Sequence, residues 1–247
     1  MVVRLTLAIV SFTAFSTSAL GEDFQDDVRS KALGGFMRIL ESTRPSSELP
    51  AKEIARELVL AYFGKDNAQA ESRLGDSLAG LAKSRAIKSS QRADPATFPK
   101  LQSADMQMLS LYVNKFELIA EIESIVDHCA DRPGLTNEIL GGIAKDPNGP
   151  KIDVTKDLIP HLGNTWIVCN ETAKPGFRWF VAIKLNDQEA VADVVSRFCR
   201  NEPNVKVTAK NTYVAELGWA ATVVDRWLVF GTDTLVQDVR PRMGDTE

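Results

Sequence analysis

Residues 178–198, RWFVAIKLNDQEAVADVVSRF, contain a strand pattern that is followed directly by a helix pattern. In the first part, apolar residues occupy every second position, which is the period of a β-strand with one buried face. From Asn186 onward the apolar residues recur at helical spacing, and Glu189 lies three residues after Asn186. An amide followed three residues later by a glutamate is the capping-box pattern of a helix N-terminus. The segment therefore predicts a strand, a cap and a helix in immediate succession.

The same succession occurs twice more, with Asn114 and Thr234 at the cap positions and Glu117 and Gln237 three residues later. Each cap follows a short run that is rich in β-branched or aromatic residues, which is typical of strands. The complete set of such runs comprises residues 106–113, 165–170, 178–185, 205–209, 212–217, 221–224 and 227–231. We therefore predict that strands dominate the second half of the chain.

The connections between these runs favour an antiparallel sheet. Asp225-Arg226 separates two strand runs as a tight hairpin would. We predict an α+β fold, in which an N-terminal helical region precedes a largely antiparallel sheet with helices on one face. The apolar face of 178–185 should lie under the helices that Asn114 and Asn186 cap. The other face, which includes Phe180, is expected to receive the helices of residues 22–90 or another chain.

The N-terminus, MVVRLTLAIVSFTAFSTSALGED, has the three parts of a secretory signal peptide. Arg4 supplies the early positive charge, residues 5–15 form the apolar part, and Ala19-Leu20-Gly21 has the small-x-small form that signal peptidase recognises. The apolar part is too short and too rich in Ser and Thr to span a bilayer stably. We predict cleavage before Glu22 and export to the periplasm, the cell surface or the medium; an uncleaved signal that anchors the chain is the alternative.

Patterning divides the chain into four parts. Residues 1–21 form the signal peptide, and residues 22–90 show helical spacing of apolar side chains. Residues 91–103 contain two prolines and no periodicity, which indicates a linker. Residues 104–247 form the α+β domain. No integral membrane span is expected after signal cleavage.

Composition excludes several classes of function. The net charge is −4 and no run of Lys or Arg occurs, so the chain lacks the basic footprint of a nucleic-acid-binding protein. Only two histidines, His128 and His161, are present, which limits histidine-based metal sites and catalytic triads. Phosphate-binding loops, dinucleotide-binding glycine patterns, nucleophile elbows and zinc-protease motifs are absent from the sequence. We predict no cofactor and no metal ion.

The chain contains three cysteines, Cys129, Cys169 and Cys199, whose spacing matches no zinc pattern. An odd number leaves at least one thiol unpaired within the chain. We expect all three to be buried as small apolar side chains, which is the usual behaviour of free cysteine. If a disulfide forms, Cys169–Cys199 is the best candidate. Cys169 lies on a predicted strand, and Cys199 lies at the end of a helix that is expected to pack nearby.

Residues 145–163, KDPNGPKIDVTKDLIPHLG, are rich in acidic and amide side chains but do not form an EF-hand. A calcium loop that begins at Asp146 needs a ligand at its fifth position and a glycine at its sixth, where this chain has Pro150 and Lys151. The twelfth position is Asp157 instead of glutamate. A loose oxygen cluster for a divalent ion is the alternative, and it would use Asp146, Asn148, Asp153 and Asp157.

The same residues fit a turn followed by a short helix. Asp146-Pro147-Asn148-Gly149 has the preferred residues of a type I turn. Asp153 is a good N-cap for a short helix from Val154 to Ile159, which Pro160 would strain or stop. Gly163 would let the chain enter the following strand.

Three further segments are LYVNKFELIAEIESIVD, GGIAKDPNGPKIDVTKDLIPHLGNTWIV and RWFVAIKLNDQEAVADVVSRF. Together they resemble uncharacterised exported proteins of planctomycete bacteria that contain a domain of unknown function, and the resemblance covers about residues 100–247. It implies export and the α+β fold. It implies no reaction and no catalytic residues, because that family has no assigned catalytic motif.

Two classes of function follow from the sequence. The first is a non-enzymatic, exported structural or interaction module with a protein partner. The second is an exported hydrolase or metal-dependent enzyme with a site near Asp153, Asp157 and His161. Convergence of these side chains in a cleft would favour the enzyme, whereas an exposed apolar surface would favour the module.

Overall fold

The computed structural model describes residues 48–63, 66–83, 87–89, 106–147, 149–171, 178–200, 204–216 and 218–243. The predicted signal peptide, residues 22–47 of the predicted helical region and the linker at 91–103 lie outside these ranges. Among the described helices, none combines the length and the apolar character needed to cross a membrane.

The described chain forms six α-helices, eight strands and three short irregular helical turns. The helices are α1 Glu48–Phe63, α2 Ala68–Lys83, α3 Lys115–Ala130, α4 Leu135–Lys145, α5 Gln188–Arg200 and α6 Asp233–Val239. The strands are β1 Ile87–Ser89, β2 Met106–Val113, β3 Leu162–Glu171, β4 Arg178–Leu185, β5 Val205–Ala209, β6 Thr212–Ala215, β7 Trp219–Val224 and β8 Trp227–Thr232. The turns are a π-helical turn Val154–Leu158 and two 3₁₀ turns, Ile159–His161 and Arg240–Met243.

The eight strands form one sheet in the order β1-β2-β3-β4-β8-β7-β6-β5, and every neighbouring pair is antiparallel. The predicted α+β fold with N-terminal helices and an antiparallel sheet is confirmed. All seven predicted strand runs are strands in the structure. The structure adds β1, which lies inside the region expected to be helical and pairs with β2 through Ile87 and Val113.

The first face of the sheet carries the larger core. Trp179, Val181, Ile183 and Leu185 of β4 are all buried there, as the alternating pattern predicts. Helices α3 and α5 cover this face, and they contribute Leu118, Ile119, Val191, Val194 and Val195 to the same apolar cluster. The predicted position of this strand face under the two helices is therefore correct.

The second face is covered in part by the C-terminal segment. Helix α6 packs on β4, β7 and β8, and its Leu235 and Val236 are fully buried in one cluster with Phe180. Phe180 therefore belongs to the interior of the α+β domain, and its predicted role as a docking residue for the N-terminal helices is wrong. Helices α1 and α2 pack on each other, and α2 contacts α3.

The helix caps differ from the predicted capping boxes. Helix α5 is capped by Asp187, whose Oδ1 accepts a hydrogen bond from the Ala190 amide at 3.0 Å. Asn186 is displaced from this role because its side chain donates to the Leu162 carbonyl at 2.9 Å. Asn114 precedes α3 without a side-chain capping bond, and Thr232, instead of Thr234, occupies the N-cap position of α6.

Two close connections shape the sheet. Asp225 and Arg226 have φ values of 40° and 65°, which are the left-handed conformations that a two-residue hairpin requires. The predicted hairpin between β7 and β8 is therefore confirmed. At the start of β3, a Cβ atom on Gly163 would lie 2.6 Å from the Lys184 carbonyl oxygen, so only glycine permits this approach of the two strands.

Cys169 and Cys199 are both buried, as expected for small apolar side chains. Cys169 lies in the cluster on the second face, whereas Cys199 of α5 packs against the first face. The disulfide considered between them is wrong, because the sheet separates the two thiols. Burial, with a contribution from Glu171, raises the pKa of Cys169 to about 12. The side chain of Cys129 lies outside the described part.

Candidate functional site at the strand–helix corner

The candidate site lies where the central strands of the sheet end. Strands β2 and β4 both end on this side of the sheet, and α3 and α5 begin there. Strand β3 starts on the same side, directly after the turns that span residues 154–161. We call this region the strand–helix corner, and it comprises Lys115, Pro160, His161, Leu162, Asn186 and Asp187. It contains His161, which the sequence identified as a candidate.

The acidic segment before the corner forms the predicted turn and cap. The Gly149 amide donates to the Asp146 carbonyl at 3.2 Å, which closes the β-turn. The Asp153 carboxylate accepts from the Lys156 amide at 3.2 Å and thereby caps the turn that follows. Asn148 lies outside the described residues, so the oxygen cluster proposed around it is not described as a whole.

Asp153 and Asp157 are held together by reciprocal capping. The Asp157 carboxylate accepts a hydrogen bond from the Asp153 amide at 2.9 Å. The Lys156 ammonium lies 3.0 Å from the Asp153 carboxylate. The hydrogen bond from Lys156 lowers the pKa of Asp153. Both carboxylates therefore stabilise the entry to the π-helical turn.

His161 is directed towards a different carboxylate. Its Nδ1 lies 3.6 Å from Oδ2 of Asp187. Its backbone carbonyl accepts a hydrogen bond from the backbone amide of Asn186 at 2.8 Å. The structure thus joins Asp153 with Asp157 and places His161 beside Asp187. Asp157 and His161 are four residues apart, but α-helical i,i+4 geometry does not bring them together, because residues 154–161 form a π turn followed by a 3₁₀ turn.

Lys115 is the central polar residue of the corner. Its side chain is only 6% exposed, and its ammonium donates to the carbonyl oxygens of Pro160, at 2.9 Å, and Leu162. The side-chain amide of Asn186 donates to the same two carbonyls, at 3.5 Å to Pro160 and 2.9 Å to Leu162. Burial lowers the pKa of Lys115. This role could not be predicted from the sequence, since a lysine at a helix start is usually solvated.

No group of three or more histidine, cysteine, aspartate or glutamate side chains in the described part could hold a metal ion. A small apolar cavity of about 30 Å³ lies between α4, α5, β7 and the π-helical turn. Its lining includes Ile143, Phe198, Cys199 and Trp219. Among the described lining residues, Cys199 carries the ionisable side chain and the others are apolar or aromatic.

Two aromatic side chains beside the corner are exposed. Tyr112, near the end of β2, is 50% exposed, and Phe116, in the first turn of α3, is 58% exposed. The Asn164 amide donates to the Tyr112 hydroxyl at 3.1 Å. The Lys115 ammonium lies 5.4 Å from the centroid of the Phe116 ring. Both rings are thus restrained by neighbours while a large part of each faces solvent.

No family model, curated protein or solved structure matches this chain.

Proposed function

We propose that this protein is an exported, non-enzymatic interaction module that binds a protein partner through Tyr112 and Phe116. The observation that carries the proposal is the exposure of these two restrained aromatic rings beside a corner whose polar side chains bind one another and the backbone. Aromatic side chains are enriched among the residues that dominate protein–protein binding energy. Restrained rings also lose little conformational entropy on binding.

The distribution of charges supports the non-enzymatic part of the proposal. Lys115 is engaged by two carbonyls, and Asp153 and Asp157 cap one turn. On the second face, Arg178 pairs with Glu171 and with Asp238, the latter at 3.0 Å. These groups connect elements of the fold. Catalytic groups, by contrast, are aimed at a space where a reacting atom could sit.

Export is supported by the three-part pattern of residues 1–21. N-terminal sequencing of the protein purified from its native cells should begin at Glu22 or an immediate neighbour. A soluble cytoplasmic pool that retains Met1 would contradict export, and an intact N-terminus in the membrane fraction would favour the anchored alternative.

The binding surface can be tested by site-specific photo-crosslinking in the native cells. A photoreactive phenylalanine analogue at position 112 or 116 should give one discrete crosslinked adduct. The control position is Val207 of edge strand β5, which is 62% exposed at the other end of the sheet order. An adduct of equal yield at position 207, or none at 112 and 116, would contradict the proposal.

The enzymatic alternative gives a different result in a parallel assay. The purified wild-type protein and a variant with Asp157→Asn and His161→Gln are incubated with esterase, glycosidase and peptidase substrates. The module account expects no turnover by either protein. Turnover by the wild type that the double substitution abolishes would replace the module with an enzyme.

A further inference from the structure

Three sulfur-containing side chains share the second face of the sheet. Met106 and Met108 are two residues apart on β2, so they point to the same side. Cys169 of β3 lies directly opposite Met108 in the antiparallel register. Both methionines pack against the apolar cluster that contains Cys169.

The register brings these sulfur atoms within reach of one ion. Directly opposite residues in an antiparallel pair have Cβ atoms about 4.5–5.5 Å apart. Met106 lies opposite Glu171, so it is a diagonal neighbour of Cys169 on the same face of the sheet. A long, flexible methionine side chain can span this separation. Two thioethers and one thiol therefore converge on the same patch of the second face.

The patch lies at the margin of the apolar cluster. Cys169 is fully buried, whereas Met106 and Met108 are only partly buried. Ser110 follows on the same face of β2 and is 5% exposed. Its hydroxyl has no hydrogen-bond partner among the residues that the structure describes. A buried hydroxyl without a partner is costly, and it is available to a group that enters the patch.

We propose that Met106, Met108 and Cys169 bind one cuprous ion through sulfur, with the lone pairs of the Ser110 hydroxyl oxygen turned towards the cation. Thioether and thiolate sulfur are soft ligands, and they select Cu(I) over harder cations. Binding replaces the thiol proton of Cys169 with Cu(I), and the proton passes to solvent. The metal enters and stays in the +1 state, so no oxidant or reductant takes part.

Zinc fits this patch less well. Structural zinc sites use four thiolate, imidazole or carboxylate ligands, and the patch supplies one such thiol with two thioethers. The nearby carboxylate of Glu171 is already paired with Arg178. The ligand set therefore distinguishes a monovalent soft ion from the common divalent ions.

The test is an anaerobic titration of the full mature chain with Cu(I) in competition with a chromogenic Cu(I) chelator. The reference protein carries Cys129→Ser and Cys199→Ser, which removes the other thiols. It should take up one equivalent of Cu(I). Adding Cys169→Ala should weaken binding by roughly 100-fold or more, and adding Met108→Leu by roughly 10-fold or more, because ligand groups are removed. Zn(II) should compete poorly.

Met243→Leu is the matched control, because Met243 is a buried methionine of the same apolar cluster but belongs to the C-terminal 3₁₀ turn. Its Cu(I) affinity should equal that of the reference protein. Circular dichroism checks that each variant is folded, and Met108→Leu keeps the side-chain volume. Uptake that persists in the Cys169→Ala protein, an equal loss in Met243→Leu, or no uptake against the chelator by the folded reference would overturn the site.

Discussion

Lys115 and Asn186 donate hydrogen bonds to the same two carbonyl oxygens, those of Pro160 and Leu162. Each donor follows a strand that ends at the strand–helix corner, and the two acceptors lie where β3 begins. The shared acceptors thus join β2, β3 and β4 at one point. Because the ammonium is buried, the contact holds the corner in a fixed geometry beside Tyr112 and Phe116.

The shared acceptors predict non-additive stability effects. Lys115→Met should lower the free energy of unfolding by about 1–3 kcal/mol, because the carbonyls of Pro160 and Leu162 lose a charged donor. Asn186→Ala should cost less by itself. In urea denaturation, a double-mutant cycle should show a coupling energy of at least about 0.5 kcal/mol. Effects that add within about 0.3 kcal/mol would mean that the two donors act independently.

Asp127 predicts an acid-dependent contribution to stability. Hydrogen bonds, the largest from the Thr136 amide and others from the Gly134 amide and the Thr136 hydroxyl, lower the pKa of Asp127 below its ordinary value of 3.8. A lowered pKa stabilises the fold above pH 3.8, and this contribution is lost as the pH falls through the folded value. Asp127→Asn should therefore unfold more easily at pH 7, and its difference from wild type should shrink below pH 3.8. A difference that is constant with pH would contradict the assignment.

Gly231 predicts a strict requirement for glycine in the centre of the sheet. A Cβ atom at this position would collide with the Trp179 carbonyl and the backbone of Phe180 on β4. Gly231→Ala should therefore destabilise the fold by roughly 1–3 kcal/mol or more. The control is Gly80→Ala on α2, where nothing lies within 4 Å and alanine should add roughly 0.5–1 kcal/mol. In thermal denaturation, a melting temperature that shifts in the same direction for both variants would contradict this prediction.

The two described cysteines predict protection from alkylation. Cys169 and Cys199 are buried on opposite faces of the sheet, and the pKa of Cys169 is raised to about 12. The thiolate is the reactive form, so iodoacetamide at pH 8 should label these two thiols only as the protein unfolds. Peptide mass spectrometry with increasing urea should show both becoming labelled in the same transition. Rapid labelling of Cys169 in the native protein would contradict its burial.

The strands could be predicted from the sequence because their alternation is local. The run around Val181 shows a period of two, and the run around Val229 is a short, continuous apolar run rich in β-branched and aromatic residues; both patterns can be recognised without knowledge of the partner strand. Strand β1 could not be predicted, since Ile87–Ser89 is too short to show a period and is defined by its pairing with β2. The burial of Phe180 could not be predicted, because a short helix far along the chain covers it.

The site depended still more on long-range contacts. Asp153 could be predicted as a cap because its partner Lys156 is local. The role of Lys115 arises only when residues 160–162 fold against it, and the pairing of Met108 with Cys169 arises only from the register of β2 and β3. No pattern in the sequence indicates that either of these distant pairs is in contact.

The most direct test of the central claim compares the surface aromatics with the acidic segment in the same crosslinking assay. A photoreactive residue is placed at position 116, and partner capture is compared between Tyr112→Ser and the double variant Asp157→Asn with His161→Gln. The account predicts that Tyr112→Ser reduces the crosslinked yield by about tenfold or more, as expected for a residue that dominates binding. The double variant should capture the partner as well as the wild type does. Loss of capture in the double variant, with normal capture by a folded Tyr112→Ser protein, would contradict the account.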